Sequence, residues 1–250
     1  MSLAVLLLLA SAIVFTSFVS GVFGMAGGMM LMAIMLAVVP VSTAMVLHGV
    51  AQLTSNTWRA WLWRAYVDWR VVRRYLVGLA FAAGFLGLVA FAPERGTVLI
   101  ALGVLPFLAL ALPDRLVPQV DRPYGAQLCG VLNGAVNLLA GVSGPLLDAF
   151  FVRSGMDRRT VVATKAACQS FAHATKLVYF GALFDAWQQS ALSPLILIAC
   201  VVLAATGTTC SRVVLDRLGD ASFRRWTRVI IMAIGLVCLV QGIAHYWRQG

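Results

Sequence analysis

Residues Gly21 to Arg59 read GVFGMAGGMMLMAIMLAVVPVSTAMVLHGVAQLTSNTWR, and the order of their parts decides the fold. A glycine-rich break, GVFGMAGG, leads into an apolar run from Met29 to Val39. The chain turns at Pro40 and enters a longer segment in which His48, Gln52 and Asn56 recur every four positions. At 3.6 residues per turn these three share one helix face, with Arg59 close to the same line. A shift of 117 residues repeats the pattern. Gly24 falls on Gly141, Gly27 on Gly144, Gln52 on Gln169, Asn56 on His173, Arg59 on Lys176 and His48 on Lys165. A repeat of this length sets how the rest of the chain is read.

Composition fixes the solvent. Of 250 residues, 61% are hydrophobic and 11% charged, and the mean hydropathy is +0.92. Soluble domains carry roughly 25% charged residues. In lipid every backbone polar group needs an internal partner, so helix bundles and closed barrels are the available folds. These apolar runs are too long and too uniform for barrel strands, which leaves an all-α polytopic membrane protein. The net charge of +10 does not indicate nucleic acid. The basic residues gather in short gaps between apolar runs, as topology determinants do. The five cysteines lack the close spacing of a metal knuckle or redox motif. Neither HExxH nor a GK[ST] phosphate loop occurs, and no enzyme constellation or cofactor site is expected.

Working outward, residues 3–22 form a first span, kept rather than cleaved because no positive n-region precedes it. Residues 29–39 are too short to cross a ~30 Å core at about 1.5 Å per residue. Span 43–63 ends in Trp58, Trp61 and Trp63, amphipathic residues suited to an interface. The gap holding Arg64, Arg70, Arg73 and Arg74 is expected in the cytoplasm. Span 75–92, an outer turn at Pro93–Gly96 and span 97–112 follow. The linker 113–123 divides a first repeat, 1–117, from a second, 118–250.

In the second half, 124–142 carries Asn133 and Asn137, and Gly141–Pro145 breaks the chain. A short piece, 146–152, contains Asp148, followed by Arg153, Arg158 and Arg159. Span 160–182 carries Lys165, Gln169, His173 and Lys176. Spans 193–211 and 228–246 flank a basic loop containing Arg212, Arg217, Arg224, Arg225 and Arg228. Ten segments, five per half, make the repeats inverted and put both termini outside. If the short pieces are re-entrant arms, about eight nominal transmembrane spans remain. Gly/Pro breaks fit either description.

Paired broken segments in two halves of a membrane protein point to a transport site. An interrupted helix leaves unpaired N–H groups and a positive dipole end at its new N-terminus, costly in lipid and useful against an anion. Here the new starts would be Gly28-Met29 and Gly144-Pro145, with proline tolerated at a first helical position. Gly24, Gly27, Gly28, Gln52, Asn56, Gly141, Gly144, Pro145, Gln169 and His173 are therefore the expected substrate-binding set. The same glycines also serve tight helix packing, and the same polar side chains can serve as interhelical glue. His48, Asp148 and Lys165 are candidates for proton handling or gating. A mid-membrane charge costs roughly 2.5–3.5 kcal/mol on insertion scales, so it must face protein or water. Lys165 can instead snorkel and Asp148 can pair with it. Lys176 and Arg59 are placed towards the ends of their spans. Two separated histidines make no metal site.

GVFGMAGGMM with Pro40 and the polar helix, together with NLLAGVSGPLLDAFFVRSGMDRRTVVATKAACQSFAHATKLVYFG, resembles the TauE/SafE sulfite exporter (TSUP) family over nearly the whole chain. The resemblance implies a bacterial or archaeal inner-membrane permease for small anions such as sulfite, sulfonates or other small organic acids. It carries over Gly24, Gly27, Gly28, Gly141, Gly144 and Pro145, with Gln52 and Gln169 by position. The methionine-rich first motif departs from the family's apolar mix. The expected partners are a small anion, membrane lipids and, for uphill transport, protons. The oligomeric state is not set by these residues. An alternating-access permease is the preferred reading; an anion channel and a membrane-embedded assembly protein are the alternatives.

Overall fold

The computed structural model describes residues 2–23, 25–113, 117–151, 154–184, 186–188, 192–215 and 220–248, with backbone alone at 23, 188, 212–215 and 220–224. Gly24, Arg153 and Arg217 lie outside the described residues, as do the side chains of Arg212 and Arg224. The described residues form helices without strands. The first five are α1 (Leu3–Phe23), α2 (Met25–Val38), α3 (Val41–Leu62), α4 (Trp69–Val89) and α5 (Arg95–Ala111). The second five are α6 (Gly125–Ala140), α7 (Gly144–Phe151), α8 (Arg158–Leu183), α9 (Pro194–Leu215) and α10 (Asp220–Trp247). Short 3₁₀ turns cover Arg64–Tyr66 and Ala186–Gln188.

Several boundaries differ from the sequence expectation for local reasons. Helix α2 starts at Met25, so Gly27 and Gly28 lie in its opening turns and not in a loop. A Cβ on Gly27 would overlap the Thr16 carbonyl oxygen and Ser20, so glycine lets α2 fold back closely onto α1. Helix α4 starts six residues before expected because the Asp68 carboxylate accepts from the Arg70 and Val71 N–H groups at 2.9 and 3.2 Å. Arg70, Arg73 and Arg74 are thus helical. Asp157 caps α8 in the same way, accepting from Arg159 and Thr160 N–H. The Thr160 hydroxyl and then these backbone donors hold its carboxyl below the usual carboxylate range. Helix α10 also starts early, so Arg225 and Arg228 belong to it.

By length and apolarity alone, four stretches among the described residues can cross a membrane: Leu3–Val22, Trp69–Val89, Pro194–Ser211 and Arg225–Trp247. The polar faces of α3 and α8 lower their hydropathy, and α2, α5 and α6 are shorter apolar helices.

Helix α1 packs along α9, and α6 packs along α4. Helices α3 and α8 pack on each other, as do α5 and α10. The centre is α2, where Met29, Leu31, Met32, Met35 and Leu36 are wholly buried. Met32 and Met45 close around Gly141, so the methionine-rich motif acts as adaptable filling.

Three segments expected in the cytoplasm converge on one face. The Asp68 N–H donates to Thr164 Oγ1, and Arg159 donates to the Tyr66 hydroxyl at 2.9 Å. Linker residue Asp121 accepts from the Gly155 N–H at 3.0 Å. At the opposite ends of these helices, the Tyr179 hydroxyl donates towards the Leu86 and Phe91 carbonyls, and Thr97 meets the Tyr246 hydroxyl.

Candidate functional site

The two helix starts that follow the breaks lie against each other. A Cβ on Gly144, the first residue of α7, would come within 2.5 Å of Met25 Cβ at the first residue of α2. Helix α6 ends at Gly141, whose φ of 74° is the left-handed conformation suited to glycine at a helix C-terminus. Pro145 is buried in the first turn of α7, where its missing N–H forfeits no helical bond.

Each start has a glutamine over it. The Gln52 amide lies 3.4 Å from where a Cβ on Gly28 would stand, and Gln169 Nε2 lies 3.6 Å from the same point on Gly144. Gln52 is buried, yet among the described residues its Nε2 has no hydrogen-bond partner, and neither has the buried His173 Nδ1. A buried donor without an acceptor costs about 1–3 kcal/mol, so such atoms imply a missing partner. Asn56 is buried too, but its amide donates to the Gln52 carbonyl one turn back at 2.8 Å. That bond uses one of the two amide N–H groups to tie the side chain back to α3.

His48, on α3, bridges α2 and α8. Its Nε2 lies 3.0 Å from the Gly28 carbonyl oxygen and its Nδ1 lies 2.8 Å from Lys176 Nζ. A carbonyl can only accept, so Nε2–H donates and Nδ1 of the neutral ring accepts from Lys176. Lys176 also donates to the Gly141 carbonyl at 2.8 Å. The His48 and His173 rings stand edge to face, 5.6 Å apart.

Asp148 and Lys165 form an ion pair with each other, and both are about a quarter exposed (25% and 26%). Lys165 is thus not at the centre, although it is the repeat counterpart of His48. Asp148 does line a cavity of about 300 Å³ that reaches Met25 and Pro145 on one side and Val117 of the linker on the other. No cluster of three metal-binding side chains occurs among the described residues.

Lys176 is the central residue that sequence reasoning placed elsewhere. It is wholly buried. The signal was its repeat alignment with Arg59, because both side chains donate to a helix-end carbonyl. Arg59 donates to the Ser20 carbonyl in the last turn of α1, and Lys176 to Gly141 at the end of α6. Each satisfies a carbonyl left unpaired at the end of a helix. Tyr75 and Asn133 were also missed as a pair. The Tyr75 hydroxyl donates to Asn133 Oδ1, while Asn133 Nδ2 donates to the Ser143 carbonyl in the second break. Asn137 Nδ2 ties the same region to the Ala172 carbonyl at 3.0 Å.

The family model described as "Sulfite exporter TauE/SafE" matches residues 9–238. No curated protein and no solved structure matches the chain. A match over so much of the length, joined to apolar helices and a polar centre, identifies a multi-pass membrane protein of a transporter family. The chain belongs to the sulfite exporter TauE/SafE family.

Proposed function

We propose that the protein is an alternating-access permease for a small anion, with sulfite, a sulfonate or another small organic acid as its substrate class. The observation that carries this reading is the apposition of the α2 and α7 starts, each beneath a glutamine, with Gln52 Nε2 buried and unspent. Two positive helix ends and neutral amide donors can replace part of an anion's hydration without forming a deep electrostatic trap. Gly27, Gly28, Gly144 and Pro145 shape the helix starts. Gln52, Gln169 and His173 contact the anion, with Asn56 and Gly141 supporting them.

The exchanged packing of α1 with α9 and α6 with α4 supports an inverted repeat whose halves, 1–117 and 118–250, rock about this centre. The convergence of the basic segments supports a cytoplasmic linker at 113–123, both termini outside, and residence in a prokaryotic inner membrane. Uphill movement draws on a proton gradient, for which His48, Asp148 and Lys165 were the sequence candidates.

Uptake of a panel of small anions into proteoliposomes, in both protein orientations and with an imposed proton gradient, tests the reading. Saturable flux with counterflow is expected. Non-saturating flux with ion conductance would make the protein a channel, and no flux for any anion would remove transport altogether.

A further inference from the structure

Lys176 has a hydrogen-bonding inventory that does not suit a permanent ammonium. Its Nζ has two acceptors, Gly141 O and His48 Nδ1, each at 2.8 Å. A neutral amine has two N–H bonds, and both are used. An ammonium has three, and the third finds no acceptor among the described residues. Nor is there a countercharge. Asp148 pairs with Lys165, and no carboxylate among the described residues pairs with Lys176.

The charged and titratable groups near it are few. Helix α3 presents His48, and α8 itself presents His173, whose ring stands 5.6 Å from that of His48. From α3, Arg59 is turned to Ser20, and the Tyr179 hydroxyl on α8 is spent on Leu86 and Phe91. Helices α4, α6 and α7 also pack on α8, and among the described residues none of their charged side chains is hydrogen-bonded or ion-paired to the Nζ. The end of α6 offers only the partial negative charge of its carbonyls. A full positive charge there is balanced when an anion arrives.

We propose that Lys176 carries the coupling proton: its amine is neutral when the site is empty and becomes an ammonium as the anion binds, so that one proton and one anion cross together. This rests on the anion-permease reading above and assigns the coupling to a residue outside the sequence candidates His48, Asp148 and Lys165. The balance is simple. The amine lone pair takes H⁺ from the aqueous side open to the site, and the new N–H faces the anion. When the anion leaves on the other side, the ammonium returns the proton there and both original hydrogen bonds remain. For a monovalent anion the loaded site gains no net charge, which lowers the cost of its passage through the low-dielectric interior. His48 positions the amine by accepting from it while donating to Gly28, and so must itself stay neutral.

The experiment measures proton uptake during anion binding by the purified full-length protein in weakly buffered detergent solution. The probes are methanesulfonate, which stays ionised, and sulfite, corrected for its own titration. Wild type is expected to take up close to one proton per anion bound on the alkaline side of the Lys176 transition. There its dissociation constant should rise about tenfold per pH unit, as linkage of one proton requires. Lys176→Arg, charged throughout, is expected to bind with no proton uptake and a flat pH profile. Lys176→Met, neutral throughout, should bind more weakly, again without uptake.

Binding by wild type without proton uptake at any pH would overturn the inference while leaving the anion site standing. Undiminished uptake by Lys176→Arg would move the proton to another group and overturn it equally. Failure of wild type to bind either probe would sink the anion reading and this inference together. The wild-type measurement decides even if neither variant folds.

Discussion

Arg59 and Lys176 reach the carboxyl ends of α1 and α6. Arg59→Met removes the donor to Ser20 and should lower stability in detergent by about 1 kcal/mol, the net worth of such a bond, as read by thermal unfolding. Tyr75→Phe is a sharper case, since it leaves Asn133 Oδ1 buried without its donor. A loss of about 1–3 kcal/mol is expected, with substrate preference unchanged. An unaltered unfolding midpoint would show that the Tyr75–Asn133 bond contributes nothing. At this scale the sequence was half legible. Four-residue spacing put His48 and Gln52 on one face of α3, and Gln169 and His173 on one face of α8, because helical periodicity is local. It could not show that Asn56 bonds back to its own helix, or that Lys176 turns inwards, because those depend on what packs opposite.

Glycine governs which helices can cross closely. On α4 and α6, a Cβ at Gly78 would meet the Gln127 carbonyl oxygen, and one at Gly130 would meet that of Tyr75. On α9, a Cβ at Gly207 would meet the Val14 carbonyl of α1. Both exchanged pairs are therefore backbone-to-backbone contacts of the small-residue kind. Gly130→Leu and Gly207→Leu should each cost roughly 1–3 kcal/mol or prevent folding, by overpacking. Gly84 has nothing within 4 Å of its would-be Cβ. Gly84→Ala should leave stability level or raise it by up to about 1 kcal/mol, since alanine is the better helix former. Equal behaviour of all three variants in thermal unfolding would contradict this packing. Breaks marked by Gly141–Pro145 and by Pro40 were readable from backbone chemistry. The early starts of α4 and α10 were not, because runs of arginine look like loops and conceal the helical turns they occupy.

For the whole molecule, α1 packs with α9 and α6 with α4, with α2 and α7 brought together at the centre, and the proposed inverted repeat builds on that exchange. The basic gaps gather with the linker on one face, which makes a topological prediction. In a Cys210→Ser background, since Cys210 is exposed, Gln119→Cys should react with an impermeant thiol reagent only from the cytoplasmic side, and Glu94→Cys only from the other. Reaction of both from one side would contradict the inverted arrangement. The central claim, that two apposed helix starts and their glutamines form one anion site, is tested most directly by equilibrium binding of labelled sulfite to the purified protein. One saturable site is expected in wild type. Gln52→Ala and Gln169→Ala should each weaken it roughly tenfold to a hundredfold, matching about 1.5–3 kcal/mol for a hydrogen bond to a charged group. The double variant should stay folded and fail to bind. Wild-type affinity in that folded double variant would contradict the claim.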